Sequence, residues 1–144
     1  DDHAEAMIML GNLYARGVTV RASTRKAIRW YKKAVKSAPD DPDIVNEVVW
    51  TLTVSDVAGL KRTRYAHRLM KRLIENDDDA VNRPEYLDTW AATHAATGDF
   101  KQATIIQDRA IQVATQQSRE DVLTILQEHL DQFKAKQAIT EVAP

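Results

Sequence analysis

The sequence has no cysteine and few of the residues that interrupt helices. Without cysteine, the chain has no disulfides, no cysteine-based zinc site and no thiol nucleophile, and its compartment stays open between cytoplasm and periplasm. Four glycines and four prolines in 144 residues are too few for a β-rich fold with many tight turns. The residues that are abundant (Ala, Leu, Gln, Lys, Arg and Glu) favour helix. The composition therefore predicts an all-α protein.

Long apolar runs are also missing. No stretch approaches the roughly 20 apolar residues that cross a bilayer, so we expect a soluble chain with no membrane span. The chain begins at Asp1 with neither an initiator Met nor a hydrophobic leader core, which we interpret as a trimmed or mature piece. Its length fits one domain, expected over residues 1–137 and followed by a frayed tail over 138–144.

Apolar residues recur at helical spacing along most of the chain and predict seven helices. Gly11 lies inside the first, where glycine is less favourable than alanine by about 1 kcal/mol, so we expect a neighbouring helix to cross closely there. The segment 43–54 is rich in β-branched residues, which favour a strand, but its proline start favours a helix. Four of the predicted helices cover residues 3–16, 43–54, 62–76 and 120–136.

Small residues repeat at a nearly constant interval. Ala27 and Ala34 correspond to Ala66 and Leu73, and then to the pair Ala103 and Ala110. The first alanines of these pairs are 39 and 37 residues apart, somewhat above the roughly 34 of a tetratricopeptide unit. A small residue at these positions lets the two helices of a hairpin cross closely. The interval predicts three helical hairpins in succession.

Two of these hairpins resemble known repeats. Residues 84–110 resemble a tetratricopeptide repeat, although His94 and Gln107 replace its usual aromatics; the matching residues are Leu87, Trp90, Ala91, Gly98, Phe100, Ala103 and Ala110. The first hairpin is similar to the Sel-one-like variant, with Thr19 and Ser23 as departures in its turn. Its matching residues are Ala6, Leu10, Gly11, Tyr14, Gly17, Lys26, Ala27, Trp30, Tyr31 and Ala34.

The resemblance implies a right-handed α-solenoid of three antiparallel hairpins with a C-terminal capping helix. It also implies a non-enzymatic module that binds another protein or peptide along the concave face of the first helices. Trp50 is the strongest candidate anchor, although packing against the third hairpin explains it equally well. Glu5, Glu85 and Asp88 would repel a carboxylate, which favours a mixed-charge or basic helical ligand. The predicted binding residues are Asn12, Arg16, Asn46, Trp50, Thr53, Glu85 and Asp88.

The sequence shows no catalytic or metal-binding pattern. It contains neither G-x-S-x-G nor a phosphate-binding glycine loop, and the histidines (His3, His67, His94 and His129) lack ligand-type i, i+4 partners. We therefore expect no enzymatic activity, no cofactor and no metal. His94 occupies a core aromatic position of the repeat, which favours a buried imidazole.

Charge is unevenly distributed along the chain. Residues 16–72 carry 14 Lys or Arg against 5 Asp or Glu, whereas residues 73–144 carry 6 against 13. Charged residues on the solvent-exposed faces of the helices are the simplest explanation of this uneven charge, but two alternatives stay open. In the first, the basic half packs on the acidic half of a second copy and gives a homo-oligomer; in the second, it binds an anionic partner. Nucleic acid is the less favoured partner, because the pI near 6.5 lies below the value of about 9 typical of such binders.

Overall fold

The computed structural model describes residues 2–142, in which about three-quarters of the residues are helical. The prediction of an all-α protein is confirmed. A short 3-10 turn, Ala80–Asn82, follows the acidic run that ends at Asp79. Over the described residues the α-helices are α1 (Asp2–Arg16), α2 (Thr24–Ser37), α3 (Pro42–Val54), α4 (Thr63–Asn76), α5 (Pro84–Ala96), α6 (Phe100–Gln116) and α7 (Glu120–Lys134).

Side-chain caps explain where several helices begin. The Ser23 hydroxyl accepts a hydrogen bond from the Lys26 backbone N–H at 3.2 Å and caps α2. Asp41 caps α3 by accepting from two backbone N–H groups of its first turn, and Asp99 caps α6 by accepting from the Gln102 N–H. These caps satisfy amides that have no partner within the helix. The β-branched segment is helical as predicted, and most of its valines are buried.

The chain divides into two compact units. The first contains the described residues up to Arg62 together with 140–142, and the second contains Thr63–Ile139. The helices α3 and α4, expected to form the middle hairpin, therefore belong to different units. Over the described residues, no helix combines the length and the apolar character that crossing a membrane requires.

The first unit is built around a close crossing of α1 and α2. A Cβ placed on Gly11 would lie 2.5 Å from Cε1 of Tyr31, so only glycine leaves room for this buried ring, and the predicted crossing is confirmed. The helix turns a different face to the core than expected, because Tyr31 docks on Gly11. The residues of α1 that are buried are Ala4, Ile8, Gly11 and Ala15, whereas the expected Ala6 and Leu10 are exposed.

The second unit packs α5 against α4, α6 and α7. The small residues that mark the interval of the repeat lie where helices approach closely: Ala66, Ala103 and Ala110 are fully buried. A core of Leu87, Val113 and Leu126, among others, joins α5, α6 and α7. The last helix therefore covers apolar surface of the preceding hairpin, as a capping helix does.

The segment expected as a frayed tail differs from that expectation over its described part. Ile139 is buried, and the Glu141 backbone N–H donates to Val54 O at 2.7 Å while Glu141 O accepts from the Asp56 N–H at 2.9 Å. Glu141 thus forms an isolated parallel bridge with Ser55. The last carbonyls of α3 have no helical partners, and this segment satisfies one of them, Val54 O, together with the Asp56 N–H that follows the helix.

Candidate protein-interaction site

One side of α1 faces solvent and carries mixed chemistry. Glu5, Met9, Asn12 and Arg16 follow one another at i, i+4, i+7 and i+11, so they share one helix face. Met9 is 66% exposed, which is unusual for a large apolar side chain between charged neighbours. This face therefore offers an apolar centre with a carboxylate on one side and a guanidinium on the other.

The buried Tyr31 of α2 and the exposed Glu47 of α3 lie beside this face. The Tyr31 hydroxyl donates a hydrogen bond to Asn12 Oδ1 at 2.8 Å. Burial and then the nearby Glu47 carboxylate raise the pKa of Tyr31 to about 12. The pKa of Glu47 is itself raised, first by partial burial and then by repulsion from Glu5. Two carboxylates thus converge beside Asn12, and an approaching cation would relieve their repulsion.

The residues predicted on α3 lie in three different settings. Asn46 is partly buried, and its Oδ1 is a buried acceptor with no hydrogen-bond partner among the described residues. Trp50 is partly buried, and its indole N–H donates to Glu141 Oε2 at 2.8 Å. Thr53 is only 2% exposed, and its hydroxyl donates to Val49 O. Thr53 is therefore a packing residue, contrary to its predicted place on a binding surface.

The two residues predicted on α5 are engaged within the second unit. Asp88 is 9% exposed, and its Oδ1 accepts a hydrogen bond from Gln107 Nε2 and lies 2.8 Å from His129 Nδ1. The same Gln107 amide donates to Leu126 O at 3.0 Å. Asp88 is thus the centre of a buried network that joins α5, α6 and α7. Contrary to the prediction, Asp88 is not accessible to a ligand, because α7 covers it.

Glu85 is also occupied by the chain itself. Its Oε1 forms an ion pair with the guanidinium of Arg119, the residue immediately before α7. Its Oε2 is buried and has no hydrogen-bond partner among the described residues. Arg119 also binds Asp121, so it links the start of α7 to α5. The predicted binding set is consequently divided: its α1 and α3 members lie in the first unit, and its α5 members stabilise the second.

Sequence reasoning missed two parts of this arrangement. Met9 and Glu47 were not predicted as binding residues, although the spacing of Met9 from Glu5 and Asn12 places it on their face. A contact between His67, Trp90 and His94 was not predicted, yet the centroids of their rings lie within 4.8 Å of one another. Burial lowers the pKa of His94, and the neighbouring His67 lowers it further. His94 is partly buried among rings, close to the environment predicted for it.

Over residues 2–142 the structure contains no group of three or more His, Asp or Glu side chains arranged to hold a metal ion. In comparisons with known proteins, the chain matches no family model, no curated protein and no solved structure.

Proposed function

We propose that the chain is a non-enzymatic protein-interaction module related to tetratricopeptide and Sel-one-like repeats, and that it binds a basic helical segment or peptide. The binding surface is the α1–α3 face, which we define as the exposed or partly exposed residues Glu5, Met9, Asn12, Arg16, Asn46, Glu47 and Trp50. The fold-level part of this proposal, a solenoid of hairpins, is supported by the repeat interval in the sequence and by the close crossing at Gly11.

The observation that carries the proposal is the pair of carboxylates Glu5 and Glu47. Partial burial and then repulsion from Glu5 raise the pKa of Glu47, and a lysine or arginine of a ligand would be attracted by both carboxylates. Met9 supplies apolar area for the stem of a long side chain. Together these features favour a cationic, amphipathic ligand over an acidic one.

The test begins with selection of short peptides displayed on phage against the immobilised full chain. We expect the selected peptides to be enriched in Lys and Arg at helical spacing. The dissociation constant of one selected peptide is then measured by fluorescence anisotropy for the wild type and for Glu5→Gln/Glu47→Gln. Removing both charges should weaken binding about tenfold, which corresponds to about 1.4 kcal/mol.

A matched control removes one carboxylate elsewhere on the surface. Glu75→Gln changes an exposed glutamate of α4 and should leave peptide affinity unchanged. Trp50→Ala should weaken binding as well, because Trp50 contributes the aromatic part of the α1–α3 face. Selection of acidic peptides, or equal affinity for all four proteins, would contradict the proposal.

A further inference from the structure

The outward side of α2 is strongly basic. The helix Thr24–Ser37 contains no acidic residue, and its Lys and Arg side chains are exposed. Four of these residues recur at i, i+4, i+7 and i+11 and therefore form one straight row along the helix. We define this basic stripe as Arg25, Arg29, Lys32 and Lys36. Together with Ile28 and Lys33, the stripe lines a shallow cleft of about 360 Å³.

The outward side of α7 has the opposite character. Exposed residues at the same i, i+4, i+7 and i+11 spacing are Glu120, Thr124, Gln127 and Asp131, and we define this row with its neighbour Glu128 as the acidic stripe. A groove of about 530 Å³ runs beside it between α6 and α7. Ile111 and Leu123 contribute apolar surface to this groove.

The two stripes have the same length and opposite signs of charge, with four cations on α2 facing outward and three carboxylates on α7. Each extends over eleven residue steps, or about 16 Å at the rise of an α-helix. Opposite charges in rows of equal length steer two surfaces together and fix their register. The basic stripe lies in the first unit and the acidic stripe in the second, and both are exposed within a single chain. Each is therefore available to another molecule.

We propose that a second copy of this chain is the partner: the basic stripe on α2 of one copy packs against the acidic stripe and the α6–α7 groove of the next. A generic polyanion is the weaker candidate, because the whole chain carries a net charge of −1 and would not attract one over long distances. The contact uses neither α1 nor α3, so it is independent of the proposed binding of peptides.

This contact is heterologous, because each copy uses one stripe on each side. Every added copy presents an unused stripe, so association continues beyond a dimer unless the geometry closes a ring. Exposed ion pairs are individually weak and are screened by salt. We therefore expect assembly at high protein concentration and low ionic strength, and its loss as salt is added.

The experiment is a charge exchange between the two stripes. One variant carries Arg25→Glu, Arg29→Glu and Lys36→Glu; the other carries Glu120→Lys, Glu128→Lys and Asp131→Lys. Each variant alone has two stripes of the same sign, so its copies should not associate. We expect its association to be at least tenfold weaker than that of the wild type, measured by size-exclusion chromatography with light scattering. An equimolar mixture should associate again, because each variant complements the other.

Several results would overturn this proposal. One is a wild type that stays monomeric over the whole concentration range at low salt, a measurement that needs no variant. Another is association of either variant alone, or no recovery on mixing when circular dichroism shows both variants folded. Where a triple variant does not fold, Arg29→Glu and Glu128→Lys replace it and are judged by the same mixing criterion. A gel shift of a single-stranded oligonucleotide by a monomeric wild type, lost in the α2 variant, would assign α2 to a polyanion instead.

Discussion

Gly11 shows how a single residue sets the packing of the first unit. Its missing side chain admits the buried Tyr31 ring, whose hydroxyl then reaches Asn12 at 2.8 Å. The glycine could be singled out from the sequence, since a glycine inside a helix needs a packing reason. The face that α1 turns to the core could not be predicted from the sequence, because the face with Leu10 and Ala6 is equally apolar. The choice depends on the shape of a ring 20 positions further along the chain.

The first prediction concerns this contact. Gly11→Ala should destabilise the protein by about 1–3 kcal/mol, because overpacking against Tyr31 outweighs the better helix propensity of alanine. The change is measured by urea unfolding followed by circular dichroism. In a Tyr31→Leu background the ring is absent, so the same substitution should be neutral or stabilising. Equal destabilisation in both backgrounds would show that the clash with Tyr31 is not the cause.

At the scale of elements, helix bounds could be predicted much better than helix contacts. Ser23, Pro42, Pro84 and Gly98 mark starts and stops through local chemistry, and the structure places the ends of α2, α3 and α5 near them. Asp88 was misplaced because its environment depends on α7, more than 30 residues later in the sequence. An acidic residue in the first turns of α5 looks like a surface group until α7 covers it. Gln107, a departure from the repeat pattern, was the available signal for a polar partner.

The buried network between α5, α6 and α7 gives the second stability prediction. Asp88→Ala removes the carboxylate that accepts from Gln107 and contacts His129, leaving a buried amide donor with one acceptor fewer and a cavity beside it. We expect a loss of about 2–4 kcal/mol in the free energy of unfolding. Asp108→Ala on the exposed side of α6 is the control and should change stability by less than about 0.5 kcal/mol. Similar losses for both variants would show that the network contributes little.

At the scale of the whole molecule, the uneven charge of the sequence becomes interpretable only with the helices in hand. Counting residues showed a basic half and an acidic half, but not that the row from Arg25 to Lys36 has the same length as the row from Glu120 to Asp131. That correspondence arises because both segments are regular helices, in which residues eleven positions apart lie on one face. Composition therefore predicts that opposite charges exist, and structure shows which surfaces carry them.

The two units should also respond to pH in opposite directions. In the first, the pKa of Glu47 is raised above 4.5 by burial and by Glu5, so the folded state holds the proton more tightly and stability falls as pH rises above about 4.5. In the second, burial lowers the pKa values of His67 and His94 below 6.5. The unfolded state then holds more protons just below pH 6.5, so stability rises as pH approaches that value.

These opposing contributions can be separated by thermal unfolding between about pH 4 and pH 7.5, a range that spans both reference pKa values. Glu47→Gln should raise Tm relative to the wild type near pH 7 and have little effect near pH 4, because it removes a charge whose repulsion appears only on ionisation. His94→Phe should flatten the rise in Tm between about pH 5 and pH 7, since it removes one titrating ring and keeps an aromatic beside Trp90. Glu75→Gln, whose carboxylate is exposed, should leave the wild-type profile unchanged. If Glu47→Gln and His94→Phe each changed Tm by the same amount at every pH, Glu47 and His94 would not be the groups that cause the pH dependence of Tm.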